Sequence, residues 1–195
     1  MKVQEAIEMR RAYRSLLPLE ITQVLLRDLA AAASLAPSCF NKQPWRFVAV
    51  HDKEVLARVH EALARGNEWA RDASMLIAVC SQKDLDCVLG EREYYLFDTG
   101  LATAFLLLRA TELGLVAHPF AGFKPKKTAE ILGIPPEMTV IALVAVGVHT
   151  SVLSPRLSPG QIEDEARRPE RLEPDKFFFE NHYPTESKVA YRGKP

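Results

Sequence analysis

DTGLATAFLLLRATELGLVAHPFAGF, residues 98–123, holds the least ordinary pattern in this chain. From Tyr95 to Leu113 the spacing predicts one long helix, apolar almost all round between Leu101 and Leu108. A helix without a wet face is buried on several sides, in a core or against a partner chain. Gly114 is placed to end it, and Leu115 to Pro119 follows as an extended segment. The most apolar part, Leu101 to Ala110, is only about half of what spans a bilayer. No membrane association is expected.

Working outward, Val3, Ala6 and Ile7 with Arg10, Arg11 and Arg14 read as a short helix with one apolar and one basic edge. A second helix is predicted over Thr22 to Ser34, stopping before Pro37. Ser38 to Pro44 reads as a loop, Phe47 to Val50 as a strand, and Glu54 to Ala64 as a helix ending near Gly66. Met75 to Cys80 is a continuous apolar run of strand length. Asp84 to Glu93 reads as short helix and loop. Pro125 opens a helix that Gly133 closes, and Thr139 to Val148 is a strongly apolar strand. Beyond Thr150 the chain turns rich in proline and charge, with one apolar knot, Phe177-Phe178-Phe179. The expected organisation is a body, residues 1–150, and an arm, residues 151–195, that docks on something.

The whole chain has 195 residues, 25 Lys+Arg against 25 Asp+Glu and 48% hydrophobic residues, enough for one domain with a real core. Zero formal net charge gives no pull toward nucleic acid or anionic membranes. Cys39, Cys80 and Cys87 are odd in number, form no CxxC pair and have no histidine at zinc-finger spacing, so neither a disulfide framework nor a metal site is expected. Free thiols and the absence of a leader-like apolar stretch near Met1 point to the cytoplasm.

Four places carry chemistry-capable residues. In RRAYR (10–14), a helix would stack Arg10 and Arg14 one turn apart, a pairing that costs a few tenths of a kcal/mol unless an anion sits between them. Forked guanidiniums suit phosphate, although spacing alone favours a solvated basic edge. In SCFNKQPW (38–45), Ser38, Asn41 and Gln43 offer donors and acceptors for a heterocycle rim, or simply cap turns. Asn67 follows Gly66 and either reaches a ligand or caps the next turn. In AHPFAGF (117–123), Gly122 permits close backbone approach, while His118 reads as a packed or exposed histidine rather than a catalyst. There is no GxSxG, HExxH, Walker A or GxGxxG, so any enzyme chemistry falls to a bound cofactor.

In order along the chain, RRAYR, ASLAPSCFNKQPWRFVAV (33–50), GN (66–67), residues 98–123, LGIP (132–135) and the strand ending AVGVH resemble the nitroreductase family of flavin-dependent oxidoreductases. The resemblance spans about residues 5–150. It implies an α+β fold with a central, mainly antiparallel sheet flanked by helices, and an intertwined homodimer with FMN at its interface. The arm would then embrace the partner. By position, Arg10, Arg11, Ala12 and Arg14 match the basic FMN-contacting motif; Ser38, Cys39, Asn41 and Gln43 match the loop approaching the flavin from the other subunit. Asn67 matches a residue at the pyrimidine edge, and Ala121 and Gly122 the backbone near flavin N5. Arg171, and more weakly Arg168, resemble a late arginine reaching the phosphate.

The implied activity is ping-pong hydride transfer from NADH or NADPH through flavin N5 to a small-molecule acceptor such as a nitroaromatic or quinone. No side-chain catalyst is required. Three departures stand out: Ala12 where serine is usual, Ala121 where a larger residue is usual, and a short segment between Cys80 and Tyr95 where larger members roof the flavin. These leave open a second reading, a flavin carrier or sensor without turnover.

Overall fold

The computed structural model of the chain describes residues 1–184. Its centre is one antiparallel sheet built around β7 (Thr139–His149). Strand β3 (Met75–Ser81) pairs along one edge of β7, from Met75 opposite Val146 to Ser81 opposite Thr139. Strand β2 (Arg46–Val50) pairs with β3, β6 (Val116–Phe120) pairs with β7, and β1 (Leu16–Leu17) joins the end of β7 at Val148 and His149.

All seven residues of β3 are buried, because both sheet faces are covered. Successive side chains alternate between faces. Leu76, Ala78, Cys80, Leu143 and Ala145 share one core with residues of α3 (Lys53–His60) and α5 (Pro125–Leu132). Met75, Ile77, Val79, Val144 and Val146 share the other with α2 (Gln23–Ser34) and α4 (Tyr95–Glu112). Each leucine, isoleucine, valine or methionine among them contributes roughly 1.5–3 kcal/mol of burial, which fixes the register that carries the functional loops. Helix α1 (Val3–Met9) lies against α4.

Local signals end these helices where the chain requires it. The Thr22 hydroxyl accepts from the Leu25 N–H and starts α2. Gly133, with φ at 64°, lets Ile134 donate to the Ala129 carbonyl after α5. Among the described residues no helix is long and apolar enough to cross a membrane.

Three expectations are corrected. Helix α1 ends at Met9, so Arg10 to Arg14 run on in non-helical backbone and do not stack on a helix face. Helix α3 ends at His60, because residues 62–64 turn away to bond with residues 122–124. The segment before α4 is a short 3-10 turn at Lys83–Leu85 and a hairpin of β4 (Val88–Leu89) and β5 (Arg92–Glu93), with Gly90 at φ 64°. Helix α4, expected to be buried in a core or against a partner chain, is not covered on every side by its own chain. Ala102, Leu106 and Ala110 are buried against the sheet, while Leu96, Phe97 and Phe105 are 49%, 63% and 38% exposed.

The first part of the expected arm folds onto its own body. Ser154 and Arg156 bond to the Asp72 carboxylate, and α6 (Pro159–Ala166) is started by a Ser158–Gln161 capping box. Phe177 and Phe178 are exposed, and Phe179 meets Tyr183 edge-on. Residues 185–195 of that arm lie outside the described residues.

Candidate functional site

The arginines of the N-terminal motif meet the C-terminal segment around a cavity of about 100 Å³, lined by Arg10, Arg11, Arg14, Arg168 and Arg171 with Asp164. Tertiary bonds hold residues 10–14 out of the helix. Arg168 donates to the carbonyls of Glu8 and Arg10, which are otherwise orphaned at the end of α1. The buried Glu165 carboxylate accepts from the Arg14 N–H at 2.5 Å, and His118 Nδ1 meets the Tyr13 carbonyl at 3.1 Å. Arg11 donates to the carbonyls of Asp164 and Glu165 at the end of α6, where a cation complements the helix dipole. Arg14 pairs with Asp164 at 3.2 Å.

Five guanidiniums thus face one lining carboxylate. Burial, followed by repulsion from Arg168, Arg171 and Arg11, pulls the Arg10 pKa below its ordinary value. An oxyanion in the cavity relieves that repulsion and matches the forked donors. Ala12 lines the same cavity and adds no hydroxyl.

A second constellation lies at the end of β6. The Ala64 N–H donates to the Gly122 carbonyl at 2.9 Å, Lys124 N–H to the Ala62 carbonyl at 2.7 Å, and Leu63 bridges to Phe123. These bonds set the Asn67 side chain directly on Gly122: a Cβ there would stand 1.9 Å from Asn67 Nδ2. Neighbouring Ala121 is exposed. Beneath this edge Trp69 stacks on His118 with ring centroids 4.5 Å apart, and Phe120 meets Trp69 edge-on. Burial pushes His118 down to about 4, so the ring is neutral at pH 7 and serves packing; of the two alternatives the sequence left, packed or exposed, it is the packed one.

The third constellation is the loop between α2 and β2. Phe40, Asn41 and Gln43 all have left-handed φ, at 47°, 56° and 50°. Such backbone costs energy for residues with side chains and concentrates where function requires it. The loop is held by the Gln43 N–H to Ser38 Oγ (3.0 Å) and the Cys39 N–H to buried Asp98 at the start of α4 (2.6 Å). Asn41 and Gln43 are exposed. Among the described residues no hydrogen bond or ion pair joins this loop to the arginine cavity or to Asn67.

The sequence comparisons fit this arrangement. Residues 7–68 and 63–148 match the profile of the Nitroreductase family. The chain belongs to the nitroreductase family. It is 32% identical over 153 residues to an Archaeoglobus fulgidus protein provisionally named NADH dehydrogenase/NAD(P)H nitroreductase, covering 74% of this chain and 86% of that one. It is 28% identical over 169 residues to a Thermus thermophilus NADH dehydrogenase, covering 71% and 82%. A crystal structure described as an oxidoreductase containing FMN superposes with a TM-score of 0.81 at 31% identity, covering 94% of each chain.

Within this nitroreductase fold, three of the four places singled out in the sequence share one end of the chain's own body, joined through Tyr13, His118 and Trp69. The Ser38–Gln43 loop does not join them. One cluster escaped the sequence reading. Cys39, Asp86 and Cys87 bring ligand-capable atoms within 4.8 Å of one another. Hydrogen bonding to Cys87, with burial and the charges of Asp86 and Asp98 adding to it, raises the Cys39 thiol to about 11. The missing signal was the hairpin, which returns Asp86-Cys87 to the loop; spacing along the chain does not show it.

Proposed function

We propose that this chain works as a homodimeric, FMN-dependent oxidoreductase that takes reducing equivalents from cytoplasmic NADH or NADPH and gives them to a small-molecule acceptor such as a nitroaromatic or quinone. The observation that carries the reading is the arginine cavity, where five guanidiniums from both ends of the chain converge on a small space with one lining carboxylate. A phosphate monoester fits that donor set. The description of the relative with 31% identity as an FMN-containing oxidoreductase supports the choice of phosphate ester.

FMN supplies the redox chemistry: two-electron transfer through the flavin ring. The residues of this chain bind and orient. Arg10, Arg11 and Arg14, with Arg168 and Arg171, hold the phosphate, and their summed field favours negative charge on whatever lies beside them. Asn67 offers its carboxamide to the pyrimidine edge. The Ala121–Gly122 backbone lines the approach to the reacting ring, where the small Ala121 side chain leaves space for an acceptor. Ser38, Cys39, Asn41 and Gln43 serve the partner's site, in keeping with a loop that touches neither of the other groups in its own chain. The exposed apolar flank of α4 is the dimer contact, with residues 173–184 reaching across to the partner.

The test is the visible absorption spectrum of the desalted protein, with chromatographic identification of any released chromophore. A yellow protein that releases FMN in near-equal ratio to chains is expected. The Arg10→Ala/Arg14→Ala double variant is expected to purify colourless, and a fully flavinated double variant overturns the phosphate assignment. Steady-state NADH and NADPH oxidation with a quinone then separates an enzyme from a carrier, which binds FMN without turnover.

A further inference from the structure

The cluster at the root of the 38–43 loop has a use of its own. We propose that Cys39, Asp86 and Cys87 bind one zinc ion, which clamps the loop to the hairpin that follows β3. One atom from each residue, two sulfurs and a carboxylate oxygen, already lies within 4.8 Å of the others. Tetrahedral zinc with Zn–S near 2.3 Å sets neighbouring ligand atoms roughly 3.7 Å apart. A contraction of about 1 Å between the ligand atoms therefore closes the site. Two thiolates and one carboxylate make a mixed soft and hard set that suits zinc better than magnesium or calcium, and a water takes the fourth position.

A second observation points the same way. Asp86 Oδ1 accepts from the Cys87 N–H at 2.8 Å, whereas Asp86 Oδ2 is buried, takes no N–H or hydroxyl donor and has only the Asp98 carboxyl as a hydrogen-bonding neighbour. Its acidic neighbour Asp98 spends its own Oδ2 on the Cys39 N–H. A buried carboxylate oxygen without a donor is costly, and a cation satisfies it. A Cys39–Cys87 disulfide would use both sulfurs and leave that oxygen unpaired. Zinc binding instead releases the two thiol protons to solvent, and the nearby Lys42 offsets part of the remaining negative charge. Cys39 belongs also to the loop assigned to the partner's flavin, but the metal test below reads the thiolates alone and contains no flavin step.

The test titrates cobalt(II), a spectroscopic stand-in for zinc, into the reduced, metal-free full chain without oxygen. The expected result is a sulfur-to-cobalt charge-transfer band in the difference spectrum that saturates at one equivalent and is bleached by zinc. Cys39→Ser and Cys87→Ser should lose the band, and Cys80→Ser, whose thiol lies in the sheet core, should keep it. A measurement on the unaltered chain guards against misfolded variants: stoichiometric zinc should protect Cys39 and Cys87 from iodoacetamide, read by peptide mass. The proposal is overturned by a reduced protein that shows no thiolate band at saturating cobalt. It is equally overturned by Cys39 alkylation at the same rate with and without zinc, or by a Cys39–Cys87 disulfide that forms while zinc is present.

Discussion

Asn67 rests on the bare Cα of Gly122, so closely that a methyl group there would overlap its carboxamide. The contact joins the turn after α3 to the turn after β6, and it fixes the direction of a side chain proposed to read a flavin edge. Gly122→Ala is expected to swing Asn67 aside, costing about 1–3 kcal/mol of stability through overpacking and weakening FMN binding. Adding Asn67→Ala should restore the melting temperature without restoring affinity. Thermal unfolding and FMN fluorescence titration check the two effects separately; recovery of both together would show that Asn67 only packs.

The two late arginines should behave differently. Arg168 is half-buried and holds two backbone carbonyls at the end of α1, whereas exposed Arg171 lines the same cavity and bonds only to the nearby Pro169 carbonyl. Arg168→Ala should lower stability by about 1 kcal/mol, because one exposed and one half-buried carbonyl at the end of α1 lose their donor, and lower FMN affinity with it. Arg171→Ala should reduce FMN affinity at nearly unchanged stability. Urea unfolding of the flavin-free variants, set beside FMN titrations, resolves the two roles. Equal stability losses would contradict the assignment.

His118 gives a pH signature. Its folded pKa of about 4 lies below the free value of 6.5, chiefly because it is buried. Between those values the unfolded chain holds a proton that the folded chain lacks, so stability is full above pH 6.5 and falls toward pH 4. The total is about 3 kcal/mol at 1.36 kcal/mol per pKa unit. His60, also lowered by burial, acts in the same direction. His118→Phe keeps a ring against Trp69 and removes the titration. Its urea midpoint is expected to change less between pH 7 and pH 4.5 than that of the unaltered chain; an identical change would place the slope elsewhere.

The strands and most helices were legible because their residues obey one local rule each: the apolar runs of β3 and β7, Thr22 before α2, Gly133 after α5. What the sequence concealed was set by distant partners. Nothing in RRAYR announces that Arg168, Glu165 and His118 take its backbone groups and keep it from continuing α1. Likewise, α3 stops four residues before the expected Ala64 because its turn bonds to residues 122–124, which lie far along the chain. The hairpin that carries Cys87 to Cys39 was hidden for another reason: each of its strands is two residues long, too short for a period to be read. The family motifs were recognisable because they are local strings; the geometry joining them was not.

The proposed division of the site between two chains makes the sharpest prediction. Leu96, Phe97 and Phe105 project from the flank of α4 away from the sheet, and an exposed apolar flank of this kind marks an association surface. Asp98, on the same helix, anchors the Cys39 N–H, so the proposed dimer contact and the Ser38–Gln43 loop are tied to one element. Phe97→Glu puts a charge on that contact, where burial without a partner is prohibitive. The variant should sediment as a folded monomer with unchanged far-ultraviolet circular dichroism, and it should lose FMN although every arginine remains in place. Full flavin content on a monomer would mean that the loop of the partner contributes nothing, and that Arg10, Asn67 and Gly122 of a single chain suffice to hold the cofactor.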